Sequence, residues 1–186
     1  MSYKFYFVVK GISETLRNTL SNQHLSSLPE VSECFSFHKS QNKSLSRGID
    51  WDWMIQSFLY MKQAGLDVEL VDKPVTDSIC IVHYDTTKNR GCWAPDSFLI
   101  GIRSDHPPMR LCDMLIVQNP TNLETDKTFL INFWPQAHII PRSPDRGNCI
   151  EKVSYFGGEG NLSPDFHSAE FQSGLNALGV SLNLCF

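Results

Sequence analysis

The sequence predicts an α/β protein: a mostly parallel sheet with irregular crossovers, followed by an incomplete second β-α-β unit. Three observations lead there. Short apolar runs without breakers recur at residues 68–71, 78–83, 98–103 and 114–118, with a weaker one at 128–133. They are apolar nearly throughout rather than at every second position, which suits a sheet covered on both faces. A clear amphipathic helix precedes them, while the links at 84–97 and 104–112 contain Gly and Pro but no helical periodicity. No regular helical crossover is legible between those strands, and a Rossmann-like sheet with irregular connections accommodates all three observations.

The totals bound what such a chain can do. Its 186 residues allow one domain with a proper core, or one domain and part of another. A hydrophobic content of 41% with 19% charged residues is that of an ordinary globular chain, not a disordered one. The net charge of −4 argues against a nucleic-acid partner, because phosphate backbones demand a positive footprint. No apolar run is long enough to cross a bilayer, and the run at 5–9 is too short for a signal-peptide core. The six cysteines (Cys34, Cys80, Cys92, Cys112, Cys149 and Cys185) form no C-x-x-C pair and no zinc-like spacing with histidine. We therefore expect no metal and no cofactor, in a reduced, cytoplasmic protein.

In chain order, residues 3–9 are aromatic and β-branched and end at Gly11, the pattern of a first buried strand. Ser13 is placed to cap a short helix carrying Leu16 and Leu20 on one face. From 21 to 47 the chain is rich in Ser, Asn, Gln and Lys, and reads mostly as loop with a short strand at 34–37. The long helix follows, with Asp50 as its N-cap, Trp51, Met54, Ile55, Phe58 and Leu59 along one stripe, and Gly65 at its stop. Trp53 and Tyr60 lie off that stripe and are candidates for contacts. After the five sheet runs, residues 134–148 are rich in Pro, Gly and polar side chains and resemble a linker. A strand at 153–156, a glycine-rich turn and a helix then open a new unit.

In open α/β sheets ligands bind beyond the carboxyl ends of the strands. Polar residues gather at those places: His83 and Asp85 after one strand, Arg103, Ser104, Asp105 and His106 after another, Gln118 and Asn119 after a third. A His and an Asp two apart can supply a general base and its orienting partner, and the planar fork of Arg103 suits a phosphate or carboxylate. The competing reading makes Asp105, His106 and Pro107 a turn whose side chains cap local backbone. No nucleophile elbow, Walker loop, HExxH helix or acidic metal triplet occurs, and Asp50 with Asp52 reads as helix capping.

Gly157, Gly158 and Gly160 belong to a turn that approaches a dinucleotide fingerprint, with Ser163 where its third glycine belongs and no acidic residue about twenty positions on. The turn would offer backbone N–H groups to a phosphate if a helix began at Ser163-Pro164. The spacing of Phe171, Leu175 and Leu178 instead favours Ser168 as the cap and Gly179 as the stop, which moves the glycines away from the helix dipole.

The segments WDWMIQSFLYMKQAGLDVELVD (51–72), IVHYD (81–85), IRSDHPP (102–108), LIVQNP (115–120), FWPQAHIIPR (133–142) and YFGGEGNLSPDF (155–166) occur in an order that resembles glycosyltransferases of the two-domain GT-B architecture, in particular bacterial proteins of the family 1 or 4 type. The resemblance implies an acceptor-side Rossmann-like domain at 1–133, a linker at 134–150 and the start of a truncated donor-nucleotide domain at 151–186. It implies transfer of a sugar from a nucleotide-sugar donor to a glycan acceptor in an interdomain cleft. Asp105 and His106 would serve as catalytic groups with His83 a rival base. Arg103, Asp85, Gln118 and Asn119 would contact substrate, with Gly157, Gly158 and Gly160 facing the donor phosphates. The residue that holds the donor ribose in that family has no counterpart, so a chain ending at Phe186 is expected to transfer little, and apolar surface on 152–186 to promote self-association. The alternatives are a non-catalytic glycan- or partner-binding module and a remnant without a function of its own.

Overall fold

The chain is described by a computed structural model over residues 3–41, 49–87, 96–104, 106–123, 125–132 and 143–185, in two units, Met1–Ile139 and Ile140–Phe186. The expected linker at 134–150 falls largely outside the described residues.

Unit 1 holds six strands: β1 (Lys4–Val8), β2 (Asp67–Val71), β3 (Ile79–His83), β4 (Phe98–Ile102), β5 (Met114–Val117) and β6 (Thr128–Leu130). They pair in the order β2-β1-β3-β4-β5-β6, and all five pairings are parallel. The chain starts inside the sheet at β1, steps outward to β2, then returns to build β3 to β6 on the other side. The order 2-1-3-4-5 is one of the two common doubly wound arrangements, extended here by β6, and its switch point lies between β1 and β3. The α/β, Rossmann-like expectation is met.

Three helices, α1 (Glu14–Ser21), α2 (Leu28–Gln41) and α3 (Ile49–Gln63), all lie in the single crossover from β1 to β2, and a one-turn helix, α4 (Tyr84–Thr87), follows β3 directly. Ser13 caps α1 as expected, its Oγ accepting the Leu16 N–H at 3.2 Å. The three crossover helices cover one face of the sheet, where Leu16, Leu20, Phe35 and Phe58 pack with Phe7, Ile81 and Ile102. The other face carries Val8, Cys80, Val82 and Leu99, covered by Met109 and by half-buried Val75, Tyr84 and Cys112 from the connections. Gly101 shows how closely the β4–β5 connection descends: a Cβ there would meet Cys112 Sγ at 2.7 Å and Met109 Sδ at 2.9 Å. The burial that brings Cys112 so close, aided by the Asp113 carboxylate, pushes its thiol up to about 12, so it packs as an inert small hydrophobe.

Three expectations are corrected. Residues 28–41 form a helix, not a loop with a strand at 34–37. Val31, Phe35 and His38 recur at i, i+4 and i+7 and are buried. Its start is held by Ser27 Oγ, which accepts the Glu30 N–H at 3.4 Å, and by Glu30, whose carboxylate accepts both the backbone N–H and the hydroxyl of Ser26. Those bonds, the backbone one first, hold the Glu30 carboxyl below its ordinary range. Asp50 lies within α3 rather than at its cap. Trp53 is core, not a free contact surface, because every side chain from 53 to 59 is buried where α3 packs against α2, β1 and β2. Tyr60 is half-buried, its hydroxyl 3.2 Å from Ser32 Oγ. Gly65 ends the helix at φ +80°, with the Leu66 N–H reaching back to the Met61 carbonyl at 3.0 Å.

Unit 2 is a β-α-β element: β7 (Lys152–Phe156), α5 (Ala169–Ala177) and β8 (Ser181–Cys185), with the strands paired in parallel. Ser168 is the cap of α5, its Oγ accepting the Phe171 N–H at 3.1 Å, and Gly179 closes the helix at φ +71°. The register sets Val153 beside Leu182 and Tyr155 beside Leu184. The positions between them are Ser154 and Asn183, so these strands alternate.

Candidate functional site

The site is built where β3 and β4 end. Parallel pairing sets His83 in register with Ile102, so the residues that follow each strand, Tyr84 to Asp85 and Arg103 to His106, leave the sheet side by side. Ser104 adopts φ +50°, a left-handed conformation that costs a non-glycine residue roughly 1–3 kcal/mol. The turn is closed by the His106 N–H on the Arg103 carbonyl at 3.1 Å and by the Arg103 Nε–H on the His106 carbonyl at 2.6 Å. Arg103 is buried, and its backbone N–H donates to the Ile116 carbonyl at 2.9 Å. Its guanidinium thus holds a loop in shape.

His83 is 2% exposed. Its Nδ1 accepts the Asp85 N–H at 3.3 Å, and its Nε2 lies 3.1 Å from Ser104 Oγ. The neutral tautomer protonated at Nε2 satisfies both contacts: the backbone donates to the Nδ1 lone pair, and Nε2–H donates to the hydroxyl. In that state neither ring nitrogen is open to a substrate proton. Ser104 therefore does not stand before His83 as a serine nucleophile stands before its base, in which the hydroxyl donates and Nδ1–H points at a carboxylate.

His106 is the accessible member. Its ring stacks on Tyr84 with centroids 4.2 Å apart and planes 9° from parallel, and it stands edge-on to His83 at 6.1 Å. Its Nε2 is 3.5 Å from Asp85 Oδ2, and the His83 Nδ1 is 3.7 Å from the same oxygen. The His106 and Asp85 side chains are 38% and 30% exposed. A carboxylate beside a solvent-facing imidazole is the arrangement of a general base and its orienting partner, able to take a proton from a hydroxyl that approaches from water.

The other expected residues divide. Asp105 lies outside the described residues. Asn119 caps a short 3₁₀ turn, its Oδ1 accepting the Thr121 N–H at 3.0 Å and the Thr121 hydroxyl at 2.8 Å. Gln118, just past β5, has both amide atoms buried without a hydrogen-bond partner. Gly157, Gly158 and Gly160 lie in unit 2 and are exposed. The Gly157 N–H is taken by the Cys185 carbonyl at 3.2 Å, and the Gly158 carbonyl accepts from Tyr155 Oη at 3.1 Å. A Cβ on Gly157 would sit 2.6 Å from that hydroxyl, so local packing accounts for this glycine. The turn leads into two 3₁₀ segments, and α5 starts only at Ala169. Among the described residues, no group of three His, Cys, Asp or Glu side chains is assembled to hold a metal ion.

Sequence reasoning placed Ser104 in the strand-end cluster without giving it a role, and it did not single out Tyr84. Tyr84, between His83 and Asp85, points toward the opposite face, where it packs beside Met109 and receives His106. No family model, curated protein or solved structure matches the chain.

Proposed function

We propose that unit 1 is the acceptor-side part of a glycosyltransferase-like protein that moves a sugar from a nucleotide-sugar donor to a glycan acceptor. The observation that carries this reading is the accessible His106–Asp85 pair at the carboxyl edge of an all-parallel sheet. On this reading His106 removes the proton from the attacking hydroxyl of the acceptor, Asp85 orients the imidazole and stabilises its charged form, and His83 stays behind them as support. The resemblance of segments 81–85, 102–108 and 115–120 to GT-B enzymes points the same way. The described cysteines are free thiols, in keeping with work in a reducing cytoplasm.

A second reading, a non-catalytic glycan-binding module, is favoured by one observation: the glycine turn spends its Gly157 N–H on β8, and short 3₁₀ segments rather than an α-helix N-terminus follow it. A thermal-shift series with UDP, GDP, their sugars and a panel of oligosaccharides separates the two. A nucleotide at 100 times its dissociation constant adds about 2.7 kcal/mol to the stability of the protein that binds it. Stabilisation by a nucleotide sugar, with the low residual sugar transfer of this chain lowered further in His106→Ala, is the expected result. Stabilisation by glycans alone selects the binding module, and no shift with any of them sinks both readings.

A further inference from the structure

The His83 side chain touches both strand-end segments from which the accessible pair projects. On one side its Nδ1 receives the backbone N–H of Asp85 itself. On the other its Nε2 meets the hydroxyl of Ser104, the left-handed residue at which the chain turns toward His106. The imidazole is 2% exposed, so it is reached by no solvent-borne reactant, and its bonds are buried in a low-dielectric setting where they are strong. Two independently folded loop ends would let the Asp85–His106 separation drift. A rigid five-membered ring with a bond at each end removes that freedom.

We propose that His83 is a positioning residue, a two-ended clamp that sets where His106 stands over Tyr84 and how far it lies from Asp85. The inference rests on the reading of His106 and Asp85 as the working pair, and it assigns His83, a candidate base by sequence, to a different task. Arg103 closes the His106 turn on itself through the His106 carbonyl, and the clamp then ties that turn to β3. Among the described residues, Tyr84, Asp85 and His83 stand against the His106 ring, and Arg103 holds its carbonyl.

The clamp is read without any substrate, by the Cε1–H signal of His106 in carbon-edited NMR, assigned from a His106→Gln spectrum. Stacking on Tyr84 shifts that signal upfield in the wild-type protein. In His83→Ala the signal is expected to move to the position of an unstacked imidazole, while the methyl signals of Leu20 and Ile55 in the core stay in place. In His83→Gln, whose amide can accept and donate, a large part of the stacked shift is expected to return. An unmoved His106 signal in folded His83→Ala overturns the proposal, as does a His83→Gln spectrum no closer to wild type than that of the alanine variant. If His83→Ala does not fold, Ser104→Ala cuts only one end of the clamp. It is expected to move the His106 signal in the same direction, and no movement there overturns the proposal equally. Absence of any thermal shift with nucleotide sugars would reject the glycosyltransferase reading and leave this measurement standing.

Discussion

In unit 1 the centre of the sheet is buried on both faces, with Phe7, Val8, Leu70, Cys80 and Ile102 wholly out of solvent. In unit 2 the paired strands leave Val153 and Phe156 40% and 77% exposed. Leu162 is the one buried hydrophobic residue described between 143 and 185. The sequences of the strands already carry this difference. β3 and β4 read ICIVH and FLIGI, apolar at consecutive positions, whereas β7 and β8 read KVSYF and SLNLC, with polar residues at alternate positions. A strand that is apolar on both sides requires two covers, and one that alternates requires only one. Unit 2 thus has the connectivity of a doubly wound element, with strands suited to a single covering layer. A two-stranded sheet is marginal by itself, so its order depends on helix caps and turn bonds more than on a core.

The sharpest way to break this contrast is to damage the deeper core. Phe58 is fully buried on α3 and meets Phe7 edge-on, with ring centroids 6.0 Å apart and planes at 78°. Phe58→Ala removes a ring from a two-layer contact that cannot collapse to fill it, and it is expected to destabilise unit 1 by about 3–5 kcal/mol. Urea denaturation followed by hydrogen exchange at β1 and β3 amides measures the loss. In the wild-type protein those amides are expected to exchange only through global opening of unit 1, and the amides of β7 and β8 through cheap local opening. Equal protection in the two sheets would remove the distinction.

How much of this was legible follows the same line. Strands β3 and β4 stood out because a strand buried on two faces has no polar residue to interrupt its middle. The order in which the strands pair did not, since periodicity says which face a residue takes but not which strand lies beside it. Helix α2 was hidden by composition: between Ser27 and Gln41 the polar residues outnumber the apolar ones, and only Val31, Phe35 and His38 mark the buried stripe. The Ser27-x-x-Glu30 spacing was the available sign, a capping pattern readable without any structure. At the site, the strand-end rule led to His83, Asp85, Arg103 and His106. The roles proposed for them were not legible, because they rest on a left-handed turn at Ser104 and on which imidazole faces water. Serine carries no sequence mark of φ +50°.

A smaller effect tests the dependence of unit 2 on its caps. Ser168 both accepts the Phe171 N–H and donates its hydroxyl proton to the Asp165 carbonyl at 2.7 Å, joining α5 to the 3₁₀ segment before it. Ser168→Ala is expected to cost about 1 kcal/mol, read as faster exchange of the α5 and β8 amides. In unit 1 the same substitution at Ser13 costs a similar amount, but against a larger core it barely changes protection. If Ser168→Ala leaves α5 exchange unaltered, the caps are not what orders this unit.

The smallest expected effect concerns acid, and it belongs to unit 1 alone. His38 is buried on the last turn of α2, edge-on to Phe37 at 5.2 Å, and burial lowers its affinity for a proton below the ordinary histidine value of 6.5. The sign follows from which state binds more protons. Once pH falls below the unfolded value near 6.5, the unfolded chain protonates this ring while the folded chain resists, so the unfolded state gains free energy. The stabilisation is fully present above that value and is lost as pH falls through the lowered folded value, below which no further loss arises from this ring. The urea midpoint of unit 1 is therefore expected to fall between neutral pH and mildly acidic pH, and His38→Gln, which has no proton to gain there, to flatten that part of the profile. A variant whose midpoint still tracks wild type through that window would mean that another group carries the acid sensitivity, and that the helix-covered face excludes water less completely than the burial of His38 implies.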